Sequence, residues 1–443
     1  EYLKCYKAEE IFNLKQFKEA LWNNVIVKRD INRGKAFLEL SNNRALTGQF
    51  YIVETNFKNS VKDLIKDGII GNESKGYFIA HDIYEEWALE KFIDIHFEKR
   101  EGTISFFNSI GYNLPIRRSF RNWISDKLFL NQEDIKTFIE DCIENEELDT
   151  FWKDEILIAV LLSKYSDAFF EYFENELLND SNFNLLKRIS FLLRLACKKA
   201  DKSFFENIGL KKQLPSIFNN IFLEPKGYGW SSYIKFIFNN LDRIDYKKMN
   251  FVLPIIFEWN NKYKKGETTK FASLIALNYY NNLLNEGYYE KEPSNLIKTI
   301  LFGASEIKNE LEKIFKEVVE NKYVKYNDPY YELCKPILTK MEYNHIAKIS
   351  TKYVLKLADL FWYKPQRKKR NYRYDELEEE YSLVDEHEFR YFPSSLFQTP
   401  IFWCLEVEQN LTFDFILDFT NKTIKSFLDT KRNSRDIYKV NFS

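Results

Sequence analysis

The sequence predicts a mainly α-helical protein built from more than one domain. With 443 residues, the chain is too long for a single hydrophobic core. Its 13 glycines and 10 prolines are few, which favours long helices with short connections over a β-structure with many turns. Hydrophobic residues make up 45% of the chain and charged residues 30%, a balance that excludes wholesale disorder.

The first 98 residues predict helices interrupted by one β-hairpin. A helical pattern at 31–45 and an amphipathic one at 57–67 come first. Two short strand patterns follow at 69–70 and 77–80, around a polar turn, and a longer helix comes next. Helix, helix, hairpin and helix is the order expected of a winged-helix domain, so residues 1–98 are predicted to be a helical linker and such a domain.

From residue 99 to residue 443 the sequence is a series of helical patterns. In LLKRISFLLRLAC, for example, Leu185, Ile189 and Leu192 share one face. No fixed period recurs, so the prediction is an irregular α-solenoid of helical pairs and not a named repeat. The stretch at 364–390 runs basic and then acidic, which is typical of a solvated loop or an insertion. The other helical patterns lie at 104–111, 116–128, 133–145, 151–163, 166–178, 247–259, 270–285, 295–318, 331–340 and from about 400 to 430.

Composition limits the partners and the compartment. The formal net charge of −1 gives no global field for nucleic acid or an anionic membrane, so nucleic acid is not expected as a partner. The five cysteines lack zinc-ligand or CxxC spacing, which predicts buried free thiols in a reducing cytoplasm. The longest purely apolar run, ILIAVLL at 156–162, is far shorter than the roughly 20 residues of a membrane-spanning helix, so no membrane partner is expected.

One histidine stands where the predicted hairpin meets the following helix. His81 is one of only 4 histidines in the chain. Asp82 directly precedes the apolar helix pattern and Glu85 follows three residues later, which predicts a capping box. The imidazole of His81 therefore has two open interpretations. It is either packed or bonded to the backbone at this corner, or it is free to contact a ligand.

The stretch FIAHDIYEEWAL resembles the winged-helix domain of STAND NTPases, the signal-transduction ATPases that include NOD-like receptors, the apoptosome scaffold and plant resistance proteins. The family's methionine-histidine-aspartate motif reads Ala80, His81, Asp82 here, with alanine in the methionine place. The resemblance implies that His81, with Asp82, contacts the nucleotide phosphates in a closed, ADP-bound state. Further stretches resemble recurrent segments of large bacterial STAND proteins, among them antiviral ATPases that detect phage proteins: NLPIRRSFRNWI (113–124), PKGYGW (225–230) and YFPSSLFQTPIFWCL (391–405).

This resemblance implies the regulatory and ligand-sensing part of such an ATPase. No G-x-x-x-x-G-K-[ST] phosphate loop occurs, so no cofactor is expected in this chain alone. ATP or ADP with magnesium would be held by an ATPase domain upstream. The chain opens without methionine and already in helical register, which is expected of a piece of a longer protein. The implied partners are that ATPase domain, a protein trigger such as a phage protein on the solenoid, and further copies in an oligomer on activation.

Two further clusters are candidates for partner binding. Arg117, Arg118 and Arg121 form a basic patch beside a tryptophan. They could contact phosphate, but the near-zero net charge favours pairing with carboxylates of the next helix. Tyr228 and Trp230 lie in the one glycine-aromatic loop of the helical series. There they either anchor a tight turn or contact a protein partner.

Two other classes of function stay open. A helical-repeat scaffold, or a winged-helix nucleic-acid binder without a nucleotide switch, would share the helical pattern. The helical pattern at 57–67 offers Lys58, Lys62 and Lys66 as DNA contacts. It also carries Asp63 and Asp67, so the basic surface it would present to DNA is weak. An enzyme with its own active site is least favoured, because the sequence has neither metal-ligand spacing nor a G-x-S-x-G motif.

Overall fold

The chain is mainly helical, as the sequence predicts. Three antiparallel pairs of short strands accompany the helices in the described residues. The chain divides into two compact units, residues 1–232 and 233–443. The winged-helix and solenoid assignments stay predictions at this stage. The computed structural model describes residues 14–129, 133–179, 182–201, 223–287, 294–325, 327–362, 380–384, 387–391 and 394–432.

The first unit begins with helices that enclose one hairpin and continues as a helical series. Its elements are α1 (Leu14–Leu21), a π-helix (Trp22–Val27), α2 (Ile31–Thr47), α3 (Lys58–Lys66), β1 (Ile70–Glu73), β2 (Gly76–Ile79), α4 (Asp82–Glu98), α5 (Thr103–Ile110), α6 (Leu114–Phe129), α7 (Glu133–Glu144), α8 (Thr150–Leu162), α9 (Ser166–Tyr172), α10 (Glu174–Asn179), α11 (Asn184–Ala196), β3 (Lys198–Ala200), β4 (Leu223–Pro225) and the start of α12 (Gly229–Asn239).

The elements from the π-helix to α4 form around one small core. Asp30 caps α2 by accepting a hydrogen bond from the Asn32 amide at 2.9 Å. The hairpin register places Ile70 opposite Ile79. An isolated bridge adds a third extended segment, since the Ile52 amide donates to the Tyr77 carbonyl at 2.8 Å and the Tyr77 amide donates back at 2.9 Å. The core buries Trp22, Val25, Ile26, Ala36, Phe37, Leu40, Ile52, Val61, Leu64, Ile69, Ile70, Ile79 and Ala88.

The predicted capping box at the start of α4 is wrong. Asp82 is already the first helical residue, and His81 holds the cap position with extended backbone (φ −138°, ψ 117°) and no side-chain capping bond. Glu85 turns to Arg44 of α2 instead, with 3.3 Å between the Glu85 Oε2 and an Arg44 nitrogen. A buried carboxylate gains more from a cation than from a backbone amide at an exposed helix start, and this explains the difference.

An aromatic cluster joins helices α4 to α8. Phe97 meets Trp123 and Phe138 edge to face, with ring centroids 4.8 and 5.2 Å apart. Trp152 packs against Phe107 at 4.5 Å. All five rings are buried. Edge-to-face pairs of this kind add to the free energy gained by burying the rings.

The second unit is also a helical series, with one strand pair among its described residues. Its elements are the rest of α12, a 3₁₀-helix (Tyr246–Phe251), α13 (Leu253–Lys262), α14 (Glu267–Asn285), α15 (Ser294–Phe302), α16 (Lys308–Asn321), α17 (Tyr331–Thr339), a 3₁₀-turn (Met341–Tyr343), α18 (His345–Trp362), β5 (Glu380–Val384), β6 (His387–Tyr391), α19 (Ser394–Leu405) and α20 (Gln409–Arg432).

The stretch at 364–390, predicted as a loop or an insertion, is described only in part. Residues 363–379 lie outside the described residues. Strands β5 and β6 pair in antiparallel fashion, with Val384 opposite His387, so this part is a hairpin, which agrees with an insertion rather than a loop. The segments EYSLV and HEFRY carry aromatic and branched residues that suit extended backbone, and these outweigh the charge pattern.

The π-helix connects α1 to the core and ends in strained backbone. Lys28, directly after it, has φ 52° and ψ −111°, a combination that a residue with a side chain rarely adopts. Its amide donates to the Asn23 carbonyl at 2.7 Å, and its ammonium lies 2.7 Å from Asp67. The buried Arg33 donates to the Ile26 carbonyl at 2.8 Å and to Asp67 at 2.6 Å. The end of the π-helix is therefore fastened to α2 and to the end of α3.

Replacing Lys28 separates this strain from the ion pair. Lys28→Ala and Lys28→Gly both remove the ammonium from Asp67, but only glycine accepts φ 52° without a clash. We expect Lys28→Gly to be more stable than Lys28→Ala by about 1 kcal/mol. Urea unfolding of the two variants measures this difference. Equal midpoints would mean that the strain at Lys28 is absent in solution.

Candidate functional site

The corner between β2 and α4 places His81 at the protein surface. The His81 side chain is exposed, and the ring of Tyr84 stands edge-on to it at 5.7 Å. No hydrogen bond or ion pair joins the imidazole to another residue of the described chain. The Asp82 side chain is 87% exposed, with a carboxylate oxygen 3.8 Å from Arg44. Of the two interpretations of His81, the accessible one agrees with this geometry.

An exposed imidazole offers limited chemistry. It donates one hydrogen bond when neutral and two when protonated, and phosphate oxygens accept such bonds. The nearby guanidinium of Arg44 is engaged by Glu85 and lies over the ring of Phe50 at 5.0 Å. Burial raises the pKa of the Glu85 carboxyl, although Arg44 opposes this. The corner therefore presents one imidazole to an anion and cannot hold a nucleotide without groups from elsewhere.

The three arginines of α6 are paired with carboxylates. Arg117 Nε lies 2.8 Å from Glu155 of α8, and Arg121 Nη2 lies 2.9 Å from the same carboxylate. Glu155 is 1% exposed. Burial acts to raise its pKa, but hydrogen bonds from Arg121 and Arg117 outweigh burial and hold the pKa below its usual value. Arg118 is 72% exposed and lies 2.7 Å from Glu86. The arginines therefore pair with carboxylates, but on α8 and α4 and not on the next helix, because α6 packs mainly against α4 and α8. Arg118 is the most exposed of the three and stays a candidate contact.

The loop at 225–230 is anchored by its tryptophan. Trp230 is 0% exposed and its indole nitrogen donates to the Cys197 carbonyl at 2.8 Å. Gly227 has φ 87° and packs so closely on α8 that a Cβ would lie 2.8 Å from the Leu161 carbonyl oxygen. Trp230 therefore offers no surface to a partner in this structure. Tyr228 is 49% exposed and stays a candidate contact.

Sequence reasoning missed a polar cleft between α1, α4 and α6. Its volume is about 80 Å³. Lys18 Nζ of α1 lies 2.8 Å from Glu90 of α4 and 2.8 Å from Asp126 of α6. Trp87 and Trp123 line the cleft. One signal could have revealed it, because Glu90 and Glu85 are two carboxylates among the mostly apolar buried residues of α4.

Lys18 bridges two of the carboxylates that line this cleft, Glu90 and Asp126. Burial raises the pKa of Glu90 to about 7, because Lys18 offsets only part of the lost hydration. Burial acts to lower the pKa of Lys18, but Glu90 and Asp126 together raise it. Lys18 therefore keeps its proton and supplies the positive charge that Glu90 and Asp126 contact.

Metal-binding groups, membrane-spanning helices and cysteines are the remaining features of the described residues that bear on function. Within the described residues, no group of three or more His, Cys, Asp or Glu side chains is placed to hold a metal ion. In the same part of the chain, no helix has the length and apolarity to cross a membrane. Four cysteines, Cys142, Cys197, Cys334 and Cys404, are buried free thiols, as expected.

The chain matches no family model and no curated protein.

Proposed function

We propose that this chain is the regulatory and ligand-sensing part of a bacterial STAND NTPase. In this proposal residues 1–98 contain a winged-helix domain that holds the ADP-bound off state, and residues 99–443 form an irregular α-solenoid that recognises a protein trigger. The observation that carries the proposal is the exposure of His81, without a hydrogen-bond partner in the described residues, at the corner where the hairpin meets α4.

The element order supports the winged-helix part of the proposal. The helix α2 is followed by the extended segment at Ile52, then by α3, the β1–β2 hairpin and α4. The bridge between Ile52 and Tyr77 joins the segment after α2 to the hairpin, which gives the small sheet that such a domain needs. The packed helices α4 to α8 supply a surface of the kind that solenoids use for protein partners.

The proposed mechanism is a difference in contacts between two states. In the closed state His81 donates a hydrogen bond to a phosphate of ADP that is held by the ATPase domain upstream, with Asp82 beside it. In the open state this bond is absent, so ADP favours the closed state. Binding of a trigger, such as a phage protein, to the helical series favours the open state and oligomer formation in the cytoplasm. Tyr228 and the exposed Arg118 are candidate trigger contacts.

Deleting the imidazole tests the proposal. In a protein that carries the ATPase domain upstream, we expect His81→Ala to raise the ADP dissociation rate about 10-fold or more, because a hydrogen bond to a charged group contributes about 1.5–3 kcal/mol. Basal activity should rise with it. Stopped-flow release of a fluorescent ADP analogue measures the rate.

A second histidine on the same helix provides the control. His96→Ala removes an identical group near the other end of α4, where the ring packs against Phe92 at 4.4 Å. It should leave ADP release unchanged. Since His81 is exposed, thermal unfolding of His81→Ala should match the wild type. An ADP dissociation rate that His81→Ala leaves unaltered would falsify the nucleotide contact.

A nucleic-acid-binding function ranks second, on one observation. Lys58 and Lys62 project from α3 into solvent, and neither pairs with a carboxylate of the described residues. However, Lys66 lies 3.1 Å from Asp63 and so is partly neutralised. Two free cations are few beside the roughly 6–10 phosphate contacts of a DNA-binding protein. Salt-dependent binding of this chain to duplex DNA would favour this function.

A further inference from the structure

We propose that α1 is a detachable clasp, in which Lys18 occupies the cleft between α4 and α6 as a built-in cationic ligand and the π-helix is the hinge. This inference goes beyond the proposed function and does not depend on nucleotide binding. It concerns how the first described helix is held and how it leaves.

The clasp rests on one side chain that reaches two helices. Lys18 Nζ is 2.8 Å from Glu90 Oε2 and 2.8 Å from Asp126 Oδ2. The Lys18 side chain is only 17% exposed, so solvent screens these ion pairs less than it screens surface pairs. Among the described side chains of α1, Lys18 supplies the ion pairs to other helices. Loss of its charge should therefore loosen α1 selectively.

The cleft has supports that do not involve Lys18. The Trp123 indole donates to Asp94 at 3.0 Å, and Lys127 lies 2.5 Å from the same carboxylate. These contacts join α4 to α6 directly. The cleft therefore keeps its walls when α1 leaves, and Glu90 and Asp126 are then without their ammonium. Burial raises the pKa of Glu90 to about 7 even with Lys18 in place, so Glu90 takes up a proton when α1 leaves. The Asp126 carboxylate is then the group that attracts Lys18 back.

The hinge lies at the junction of α1 and the π-helix, because these two elements are held by different contacts. The end of the π-helix is fastened by Lys28, Arg33 and Asp67. Its first residue, Trp22, is buried in the core beside Phe37. The π-helix leaves the regular hydrogen-bond pattern just after α1, at a position where helices bend. Rotation at this point moves α1 and leaves the core in place.

The clasp joins α1 to the helix that carries His81. Glu90 lies about two turns after the start of α4 at Asp82. A change in α1 is therefore transmitted to the β2–α4 corner through one rigid helix. Where the proposed function holds, α4 couples the position of α1 to the contact between His81 and the phosphate. The clasp itself stands without it.

Hydrogen exchange of this chain tests the clasp directly. We expect Lys18→Met to speed amide exchange in α1 by about 10-fold or more, whereas peptides from α2, α4 and α6 keep the wild-type rate. Methionine keeps the helix propensity and the apolar stem of lysine. Asp126→Asn, which removes one of the two partners, should give a smaller increase. Mass spectrometry of peptic fragments measures all of these rates.

Two control variants sharpen the outcome. Lys18→Arg keeps a cation in the cleft and should keep wild-type exchange. Glu19→Gln changes the neighbouring charge, which is exposed at the edge of the cleft and forms no ion pair with the described residues, and should have no effect on exchange. Unchanged α1 exchange in Lys18→Met would overturn the clasp. Faster exchange that spreads through α2 and α4 would overturn it as well, because α1 would then be an integral part of the core.

Discussion

Replacing Arg117 and Arg121 together with methionine is expected to lower the free energy of unfolding by about 3–5 kcal/mol. The two guanidinium groups are the partners of Glu155, whose side chain is 1% exposed. Without them a carboxylate stays buried with no counter-ion, and this costs far more than the loss of a surface ion pair. Methionine keeps the length of the arginine stem, so the change in packing is small. Denaturant unfolding at pH 7 measures the effect.

A third substitution separates the buried charge from the packing. Adding Glu155→Met to the double variant removes the uncompensated carboxylate, and most of the lost free energy should return. Arg118→Met is the matched control, because Arg118 is 72% exposed and its pair with Glu86 is a surface pair. Its effect should stay within about 0.5 kcal/mol. A triple variant as unstable as the double variant would contradict the assignment to Glu155.

The same prediction has a pH signature. In the wild type the arginines hold the pKa of Glu155 below its unfolded value. Its contribution to stability is therefore full above that unfolded value, about 4.3, and is lost as pH falls through the lower folded pKa. In the double variant burial acts unopposed and raises the pKa of the carboxyl, so a proton neutralises it at mildly acidic pH. The deficit of the double variant should shrink between pH 8 and pH 5.

Trp230→Ala is expected to destabilise the first unit by about 3–5 kcal/mol. The indole is 0% exposed, and it fixes the loop onto the Cys197 carbonyl at 2.8 Å. Trp230→Phe should cost less, about 1–2 kcal/mol, because a ring still fills most of the space. The Cys197 carbonyl also keeps its second donor, the Lys226 amide at 2.9 Å. Thermal and denaturant unfolding rank the two variants.

Tyr228 is the matched neighbour of Trp230 in this loop. It is 49% exposed, so Tyr228→Ala should unfold like the wild type to within about 0.5 kcal/mol. It is therefore the variant with which a loss of trigger binding can be told apart from a loss of fold. Equal destabilisation by Tyr228→Ala and Trp230→Ala would show that the whole loop, and not the indole, supports the fold.

Much of the fold could be predicted from the sequence, because apolar spacing follows the geometry of the helix. The hairpin β1–β2 and helices such as α8 lie where their patterns predict them. The pattern at 295–318 failed as a single helix, since it is α15 and α16 with Gly303 between them. The apolar spacing continues across this break because both helices face one core. A Cβ on Gly303 would lie 2.0 Å from Ser273 Oγ, and spacing carries no sign of such a close approach.

The site residues could be predicted less well, because exposure and pairing depend on distant parts of the chain. The sequence predicted that carboxylates would pair with the α6 arginines. It did not predict that Arg117 and Arg121 would share one carboxylate. Glu155 follows them by 38 and 34 positions. Lys18 gave no local signal at all, since its partners Glu90 and Asp126 are 72 and 108 positions away.

The aromatic cluster of α4 to α8 has a consequence for how this helical series varies in sequence. Aromatic residues make up 17% of the chain. Rings that meet edge to face, as Phe97 meets Trp123 and Phe138, tolerate a range of tilts and offsets between helices. Aliphatic side chains that interlock row by row demand a constant helix spacing. A helical series whose interior is packed with aromatic rings therefore tolerates insertion, shortening or rotation of a helix and needs no fixed repeat. Its surface residues can change while the interior stays closely packed.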